Sequence, residues 1–306
     1  MSLNLYYTKT LPNDLKKIIN IMSFNESEGY SDNILSTGLQ TYNKDKIYEI
    51  WESTDNVKEE TYKNINIRYD KDYLFGSVIF DSLCQFEENY KDILTFTRKF
   101  NYRLIKLWHF IPNLLDINEI NKSTYTIFCE EREKLYKAFF TNNNYPAATV
   151  VGTKGKKIII YFIASSYLDI FYLSNSRQIE PYKYPKEIFQ YKPLFSRAIK
   201  LGKQKEDSKI FISGTASISG YQSKHASNLS KQFKEIILNY KNLLNITSDF
   251  SSKNDIYRIY IKNNINVDTI KEYIQKNFNE NRYLIIFGDI CRSELLIEID
   301  GIKTNT

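Results

Sequence analysis

The stretch Lys209-Ile-Phe-Ile-Ser-Gly-Thr-Ala-Ser-Ile-Ser-Gly220 alternates with the period of a β-strand. That period puts Ile212, Gly214, Ala216, Ile218 and Gly220 on one side and Ser213, Thr215, Ser217 and Ser219 on the other. Glycine and alanine leave the first side bare, and a bare strand lets another backbone or a ligand come close. Two readings fit. The strand is the floor of a site, running into Tyr221-Gln-Ser-Lys-His225, or it packs tightly under a helix and its glycines only make room.

Working outward, the stretch opens a regular series. A helix near 225–244 carries Leu229, Phe233, Ile236, Ile237, Tyr240 and Leu244 on one stripe. Strand Tyr257–Lys262 follows, then a helix capped by Asp268 and running to about Phe278, then strands Arg282–Phe287 and Leu295–Ile299. The same order comes earlier in the chain. It runs through strand Tyr73–Phe80, a helix over 84–99, strand Arg103–Phe110 ended by Pro112, a helix over 122–140 with Ser123 as N-cap, and strands Ala147–Gly152 and Lys157–Ile163. The order βαβαββ thus occurs twice, with Phe75-Gly-Ser77 in the place of Ser213-Gly-Thr215. This is a duplication of topology rather than of sequence.

The predicted class is α+β, with two halves that each pack helices on one face of a mixed sheet. Residues 1–70, polar and weakly periodic, are expected to form an irregular N-terminal extension. Residues 71–175 form the first half, and 176–306 the connecting segment and the second half, with most of the site. The connection from Asn175 to Arg197 is too aromatic and too poor in glycine and serine for a floppy linker. It is expected to be ordered and to line a site where the halves meet.

Bulk properties exclude several classes. The 306 residues carry 42 basic and 36 acidic side chains, a net charge of +6 with the signs interspersed. No basic block marks a nucleic-acid footprint, and the mild positive excess suits a small anionic substrate. The 25 tyrosines and 19 phenylalanines accompany abundant lysine, asparagine and isoleucine. All have A/T-rich codons, so the aromatics are weak support for base stacking. Cys84, Cys129 and Cys291 lie far apart, and His109 and His225 are the two histidines. A disulfide framework and a His/Cys metal site are both disfavoured. The N-terminus lacks an apolar signal core, and the most apolar run, Ile158 to Leu173, is shorter than a membrane span. That run reads as two buried strands with a turn at Ser165-Ser166. A reduced cytoplasmic protein is expected, with no metal, no membrane and no nucleic acid, as a monomer or small homo-oligomer.

The chemistry-bearing candidates are few. In Leu295-Leu-Ile-Glu-Ile299, Glu298 shares a side with Leu296 and Asp300. A lone glutamate there lies either on a solvated sheet face or in a pocket. In a pocket, desolvation favours its neutral form, and a neutral glutamic acid can deliver a proton near pH 7. Arginine is scarce beside lysine, which singles out Arg103, Arg132, Arg177, Arg197 and Arg292. Arginine grips carboxylates with a planar fork, although a structural ion pair is its commoner fate. Arg132 falls on the apolar stripe of its helix, one turn after Phe128, and so points inward. His225 sits at a helix start, and His109 flanks Trp108 in a strand as a structural residue. Gly152-Thr-Lys-Gly-Lys156 lacks the spacing of a phosphate loop and precedes a strand.

Several blocks in order resemble the chorismatase family, whose fold is related to RidA/YjgF. They are Trp108-His-Phe-Ile-Pro-Asn113, Tyr125-Thr-Ile-Phe-Cys-Glu-Glu-Arg132, Tyr145-Pro-Ala-Ala-Thr-Val-Val-Gly-Thr153, Asn175-Ser-Arg-Gln178 with Tyr182-Lys-Tyr-Pro185, Phe195-Ser-Arg-Ala198, Phe211-Ile-Ser-Gly-Thr-Ala-Ser-Ile218 and Asp289-Ile-Cys-Arg-Ser-Glu-Leu-Leu-Ile-Glu-Ile-Asp300. Together they span roughly residues 70 to 301. The resemblance implies two RidA/YjgF-like (chorismate-mutase-like) βαβαββ halves and an enzyme that cleaves the enolpyruvyl ether of chorismate without cofactors. By that resemblance Glu298 protonates the enol methylene, and Arg132, Arg197 and then Arg177 answer the two carboxylates. Tyr184 hydrogen-bonds the substrate, and Gly214 and Ala216 give the ring room. Cys291 is similar to the branch that forms 3-hydroxybenzoate. Ala216 is similar to the hydrolytic branch that releases 3,4-dihydroxycyclohexa-1,5-diene carboxylate. The implied product is 3-hydroxybenzoate. Glu131 departs from the family pattern, which has glycine there. Two other functions compete, RidA-like hydrolysis of enamines or imines and a nucleic-acid or small-molecule binding module.

Overall fold

The computed structural model describes residues 3–119, 121–140, 142–202, 208–245, 254–263 and 265–304. The N-terminal region is not irregular. It forms β1 (Leu3–Thr8), β2 (Ile18–Phe24), β3 (Gly29–Ser31), β4 (Ile34–Ser36) and β5 (Ile47–Ser53), a five-stranded sheet in the order β1-β5-β2-β4-β3. This corrects the expectation for residues 1–70, and β2 shows the reason. All seven of its residues are buried, so the strand is covered on both faces and its sequence does not alternate. β6 (Lys58–Tyr62) and β7 (Ile65–Tyr69) form a hairpin that extends the sheet of the first half.

The first half contains β8 (Tyr73–Phe80), α1 (Phe86–Lys99), β9 (Arg103–Pro112), α2 (Thr124–Phe139), β10 (Ala147–Thr153) and β11 (Ile158–Ser165). Ser123 caps α2 as read, its Oγ accepting from the Thr126 amide at 3.1 Å. Next come β12 (Ile170–Leu173), β13 (Ala198–Leu201), β14 (Lys209–Ala216) and a short ribbon of β15 (Ile218–Ser219) and β16 (Gln222–Ser223). The second half continues with α3 (Leu229–Leu244), β17 (Ile256–Ile261), α4 (Asp268–Asn277), β18 (Tyr283–Phe287) and β19 (Ile297–Thr304). Two details differ from the sequence reading. α3 begins at Leu229 rather than near 225, and Asn228 caps it, its Oδ1 accepting from the Lys231 amide at 2.9 Å. Asp268 lies in the first turn of α4 after Val267, where its charge still favours the helix dipole.

The two six-stranded sheets run β10-β9-β11-β8-β7-β6 and β12-β13-β14-β19-β17-β18. Within them, β10-β9-β11-β8 and β18-β17-β19-β14 are the same arrangement. The outer pairs β10/β9 and β18/β17 are parallel, and the remaining pairs are antiparallel in both. The duplication therefore holds at the level of strand order. β12 is not a buried partner of β11. It pairs with β13 at the edge of the second sheet, with Phe171 and Tyr172 exposed.

Each sheet is covered on one face by its helices. Phe86, Tyr90, Ile93 and Phe128 pack on Leu107 and Ile160 in the first half, and Phe233, Ile236 and Ile270 pack on Ile212, Ile259 and Ile297 in the second. The other faces meet each other through Trp108, Tyr161, Phe211, Tyr260 and Ile302, with Met22, Phe24 and Trp51 added by the N-terminal sheet. Among the described residues no helix is long and apolar enough to cross a membrane.

β14 breaks its expected alternation. Ile212 faces Gly301 and Thr215 faces Ile299, so three steps along β14 match two along β19. The extra residue is a β-bulge, which turns the strand over. Ile212 joins the helix-side core, while Ala216 and Ile218 join the core between the halves. The expected single side shared by Ile212, Gly214 and Ala216 is thereby corrected.

Candidate active site

A cavity opens where the two halves meet. β10 contributes Ala148 and Val150, β14 contributes Gly214 and Ala216, and β19 contributes Glu298. α2 contributes Tyr125 and Arg132, and the loop before β19 contributes Cys291 and Arg292. The segment connecting the halves supplies Tyr184, Phe189, Tyr191, Pro193, Phe195 and Arg197, so it is ordered and lines the cavity as read. The halves are tied beside it by the bulge. Ser213 Oγ accepts from the Ala148 amide at 2.9 Å and donates to the Ser196 carbonyl at 2.6 Å. The Gly214 amide donates to Thr149 Oγ1 at 3.1 Å.

Glu298 stands opposite Ala216 in the ladder and is 5% exposed. Burial pushes its carboxyl up to about 8, the negative Asp300 two residues on adds to the rise, and Lys106 opposes it. The group is therefore a neutral acid at pH 7, able to donate a proton into the cavity. A Cβ at Gly214 would overlap its Oε1. Gly214 is needed here for close approach rather than for backbone freedom, and its role is to leave room for the acid. Gly214→Ala is expected to displace the carboxyl and lower kcat by roughly 10²-fold, the usual cost of a misplacement near 1 Å. Circular dichroism should stay unchanged, and a kcat within about twofold of wild type would refute this role.

Two arginines face the same space. Arg132 is 1% exposed. Its guanidinium lies 4.8 Å over the Phe128 ring and 5.5 Å from that of Tyr136, and its Nε and Nη1 have no hydrogen-bond partner. Arg197 Nη2 donates to Tyr184 Oη at 3.0 Å and to the Ile179 carbonyl at 2.5 Å, while its Nε is unpartnered. Buried donors without partners cost free energy, so both arginines keep the capacity to bond an anion. A dianionic ligand would satisfy both arginines.

Arg177 is a correction. It is not among the cavity's lining residues. Its guanidinium pairs with Glu235 of α3 and donates to Asn239 Oδ1 at 3.0 Å, the ordinary structural role. Tyr184 is buried at the cavity wall and held by Arg197. Cys291 lines the cavity with its thiol pushed up to about 12 by burial, then by the charge of Glu298. It offers shape and a neutral S–H, not a nucleophile. His109 is buried and structural, with Nδ1 at 3.0 Å from the Thr149 carbonyl and Nε2 at 3.3 Å from Tyr90 Oη. His225 lies 3.7 Å from Glu235 and does not line the cavity.

Sequence reasoning named the connecting segment as a lining but did not single out Phe189, Pro193 or Phe195 within it, nor Tyr125 of α2, as cavity walls. Their type carried a signal, since aromatic residues concentrate in the connecting segment, but only the fold shows which of them turn inward. Arg292 drew notice by its scarcity alone. It stacks 5.0 Å over Phe189 and donates to the Tyr221 carbonyl and to Ser223 Oγ, each at 3.0 Å.

Comparison with known proteins finds relatives in both sequence and fold. Residues 49–164 match the family described as chorismatase FkbO/Hyg5-like, N-terminal. A 3-hydroxybenzoate synthase of Streptomyces hygroscopicus is 25% identical over 274 residues, covering 83% of this chain and 80% of that protein. A chorismatase of Streptomyces rapamycinicus is 25% identical over 211 residues, covering 65% of this chain and 63% of its own. The crystal structure of a chorismatase superposes with a TM-score of 0.88 at 20% identity, covering 98% of both chains. Residues 49–164 thus match that family's N-terminal domain, and the chain as a whole has the fold of a chorismatase.

Proposed function

We propose that the protein cleaves the enolpyruvyl ether of chorismate, releasing pyruvate and 3-hydroxybenzoate. The observation that carries the reading is a neutral, buried Glu298 facing a cavity with two buried arginines, Arg132 and Arg197, whose donors lack partners. Chorismate has two carboxylates for the arginines and an enol ether for the acid. Glu298 gives its proton to the enol methylene, and the ether carbon becomes an oxocarbenium ion. Capture of that carbon by a ring oxygen, followed by loss of pyruvate and aromatisation, yields 3-hydroxybenzoate. The two products together contain all the atoms of chorismate, and the proton lost on aromatisation restores Glu298. Capture by water instead adds one water and leaves 3,4-dihydroxycyclohexa-1,5-diene carboxylate.

Arg132 and Arg197 take the carboxylates, Tyr184 adds a hydroxyl, and Gly214, Ala216 and Cys291 shape the space around the ring. The relative named as a 3-hydroxybenzoate synthase supports the first product. We also read each half as a RidA/YjgF-like unit, on the recurrence of β10-β9-β11-β8 as β18-β17-β19-β14. The test is incubation of the purified protein with chorismate, with pyruvate measured and the ring product identified by chromatography. Equimolar pyruvate and 3-hydroxybenzoate are expected. No pyruvate would end the reading, and equimolar diene carboxylate would transfer it to the hydrolytic branch. Ammonia release from enamines without chorismate turnover would favour the deaminase.

A further inference from the structure

Behind Glu298, outside the cavity, lies a buried group of charges that the proposed reaction does not use. Asp300 is 2% exposed and shares the side of β19 that carries Glu298. Its Oδ2 accepts from Trp108 Nε1 and from Thr149 Oγ1, both at 2.7 Å, and lies 3.4 Å from Tyr260 Oη. Lys106 Nζ of β9 lies 3.3 Å from the same oxygen, and Arg258 Nη1 of β17 lies 3.8 Å away. Lys106 is fully buried, donates to the Ile212 carbonyl at 2.6 Å and sits 4.5 Å from the centre of the Trp108 ring. Arg258 is engaged elsewhere by Glu49, with Nε to Oε2 at 2.7 Å.

The charges balance as they stand. Glu49 and Asp300 are matched by Arg258 and Lys106, leaving no cation of this group for a second carboxylate on β19. Ionising Glu298 would add an uncompensated charge beside Asp300 in a low-dielectric interior. On the cavity side the cations facing Glu298 are Arg132, Arg197 and Arg292, with Glu294 and Cys291 in the same loop, and Tyr240 of α3 couples to it from the helix side. A dianionic substrate neutralises Arg132 and Arg197 when it binds. The acid's proton affinity, raised first by burial, is then adjusted by the pair behind it.

We propose that Lys106 and Asp300 are a buried positioning pair that tunes the proton affinity of Glu298 from outside the cavity, Asp300 keeping the proton on and Lys106 limiting how tightly it is held. Thr149 connects this pair to the site, donating to Asp300 with the same hydroxyl that accepts from the Gly214 amide. Burial pulls the Lys106 ammonium down to about 8 against the attraction of Asp300, so a charge here is costly to maintain and has a use elsewhere. The inference rests on Glu298 being the acid of the proposed reaction.

The test separates the two claims by reading the proton directly. The carbonyl infrared band of a protonated carboxylic acid, absent in Glu298→Gln, is titrated with pH in wild type, Asp300→Asn and Lys106→Met, and the alkaline limb of kcat for pyruvate release is measured in parallel. Asp300→Asn keeps an acceptor oxygen for Trp108 and Thr149 and removes the charge. It is expected to move the midpoint down by about one pH unit, and Lys106→Met to move it up by a similar amount. A merely structural role would not move the two in opposite directions. Lys106→Arg should restore the wild-type midpoint. Midpoints that stay put, or that move the same way, overturn the proposal whatever the activity. An opposite shift in the infrared band without chorismate turnover would uphold the pair and sink the reaction. Should Lys106→Met fail to fold, Asp300→Asn decides alone.

Discussion

Glu298→Gln is expected to reduce pyruvate release from chorismate by roughly 10³-fold or more, in line with the 10²–10⁴ that a positioned general acid contributes. The loss corresponds to about 4 kcal/mol of barrier. The amide has the size and neutrality of the protonated acid but no proton to give to a carbon. Substrate binding depends on the arginines and should change little, so the loss falls on kcat rather than KM. The same substitution is expected to stabilise the fold. Burial holds the Glu298 carboxyl up at about 8 from a starting value of 4.5. Between those values the folded protein keeps a proton that the unfolded chain has released, so wild-type stability falls as pH rises from about 4.5 to about 8 and is level above. Glu298→Gln lacks that decline. The difference in stability should be near zero at about pH 4 and reach several kcal/mol by about pH 8, growing by about 1.4 kcal/mol for each pH unit in between. Thermal melts across this range check it. A constant difference, or a variant less stable than wild type at the alkaline end, would show that Glu298 is not the buried acid described. Wild-type kcat should fall above about pH 8 as the acid ionises.

Arg132→Met is the second large effect, and its two readouts oppose each other. Arg132 lines the cavity, and its Nε and Nη1 have no hydrogen-bond partner. Each charged hydrogen bond to a bound carboxylate is worth about 1.5–3 kcal/mol, so losing two of them should lower kcat/KM by roughly 10²–10⁴-fold. Methionine keeps the contacts of the stem on Phe128 and Tyr136 and removes the buried charge. Leaving a buried donor unsatisfied costs about 1–3 kcal/mol, so the ligand-free variant should be more stable than wild type by about that amount. A rise in Tm together with a collapse of kcat/KM marks a group held strained for its ligand. A fall in Tm of more than a few degrees would mean that Arg132 has a structural partner, as Arg177 does in Glu235. Lysine at 132 should recover little, because a single ammonium cannot place donors where both edges of the planar guanidinium do.

Arg132 and Arg177 also show where sequence reasoning reaches and stops. Arg132 was legible because helical spacing is local: one turn from Phe128 on an apolar stripe, it had to point inward. Arg177 was not, because its partner Glu235 stands 58 residues away on α3. Local logic offered Glu298, a lone acid in an apolar strand, as either solvated or pocketed, and its burial decides for the pocket; the ordered aromatic segment that lines the cavity was legible. The five-stranded N-terminal sheet escaped notice because β2, buried on both faces, carries no alternation. The bulge in β14 escaped because an extra residue shows itself only against the partner strand. Lys106 and Asp300 each looked like an ordinary charge in a strand, and they meet 194 residues apart in sequence only when the halves pack face to face.

The sequence by itself determined the order of strands and helices and its repetition, which follow from periodicities of 2 and 3.6 residues that any short window contains. A dicarboxylate substrate entered only as what the family resemblance implies. The tertiary structure alone decided which arginines are left unpaired, how far the acid is removed from water, and which charges stand behind it. Hydrogen-bond partners and desolvation are properties of groups brought together across the chain. Gly214, which the sequence offers as either a floor or a packing gap, is both: it makes room, and the room is filled by Glu298.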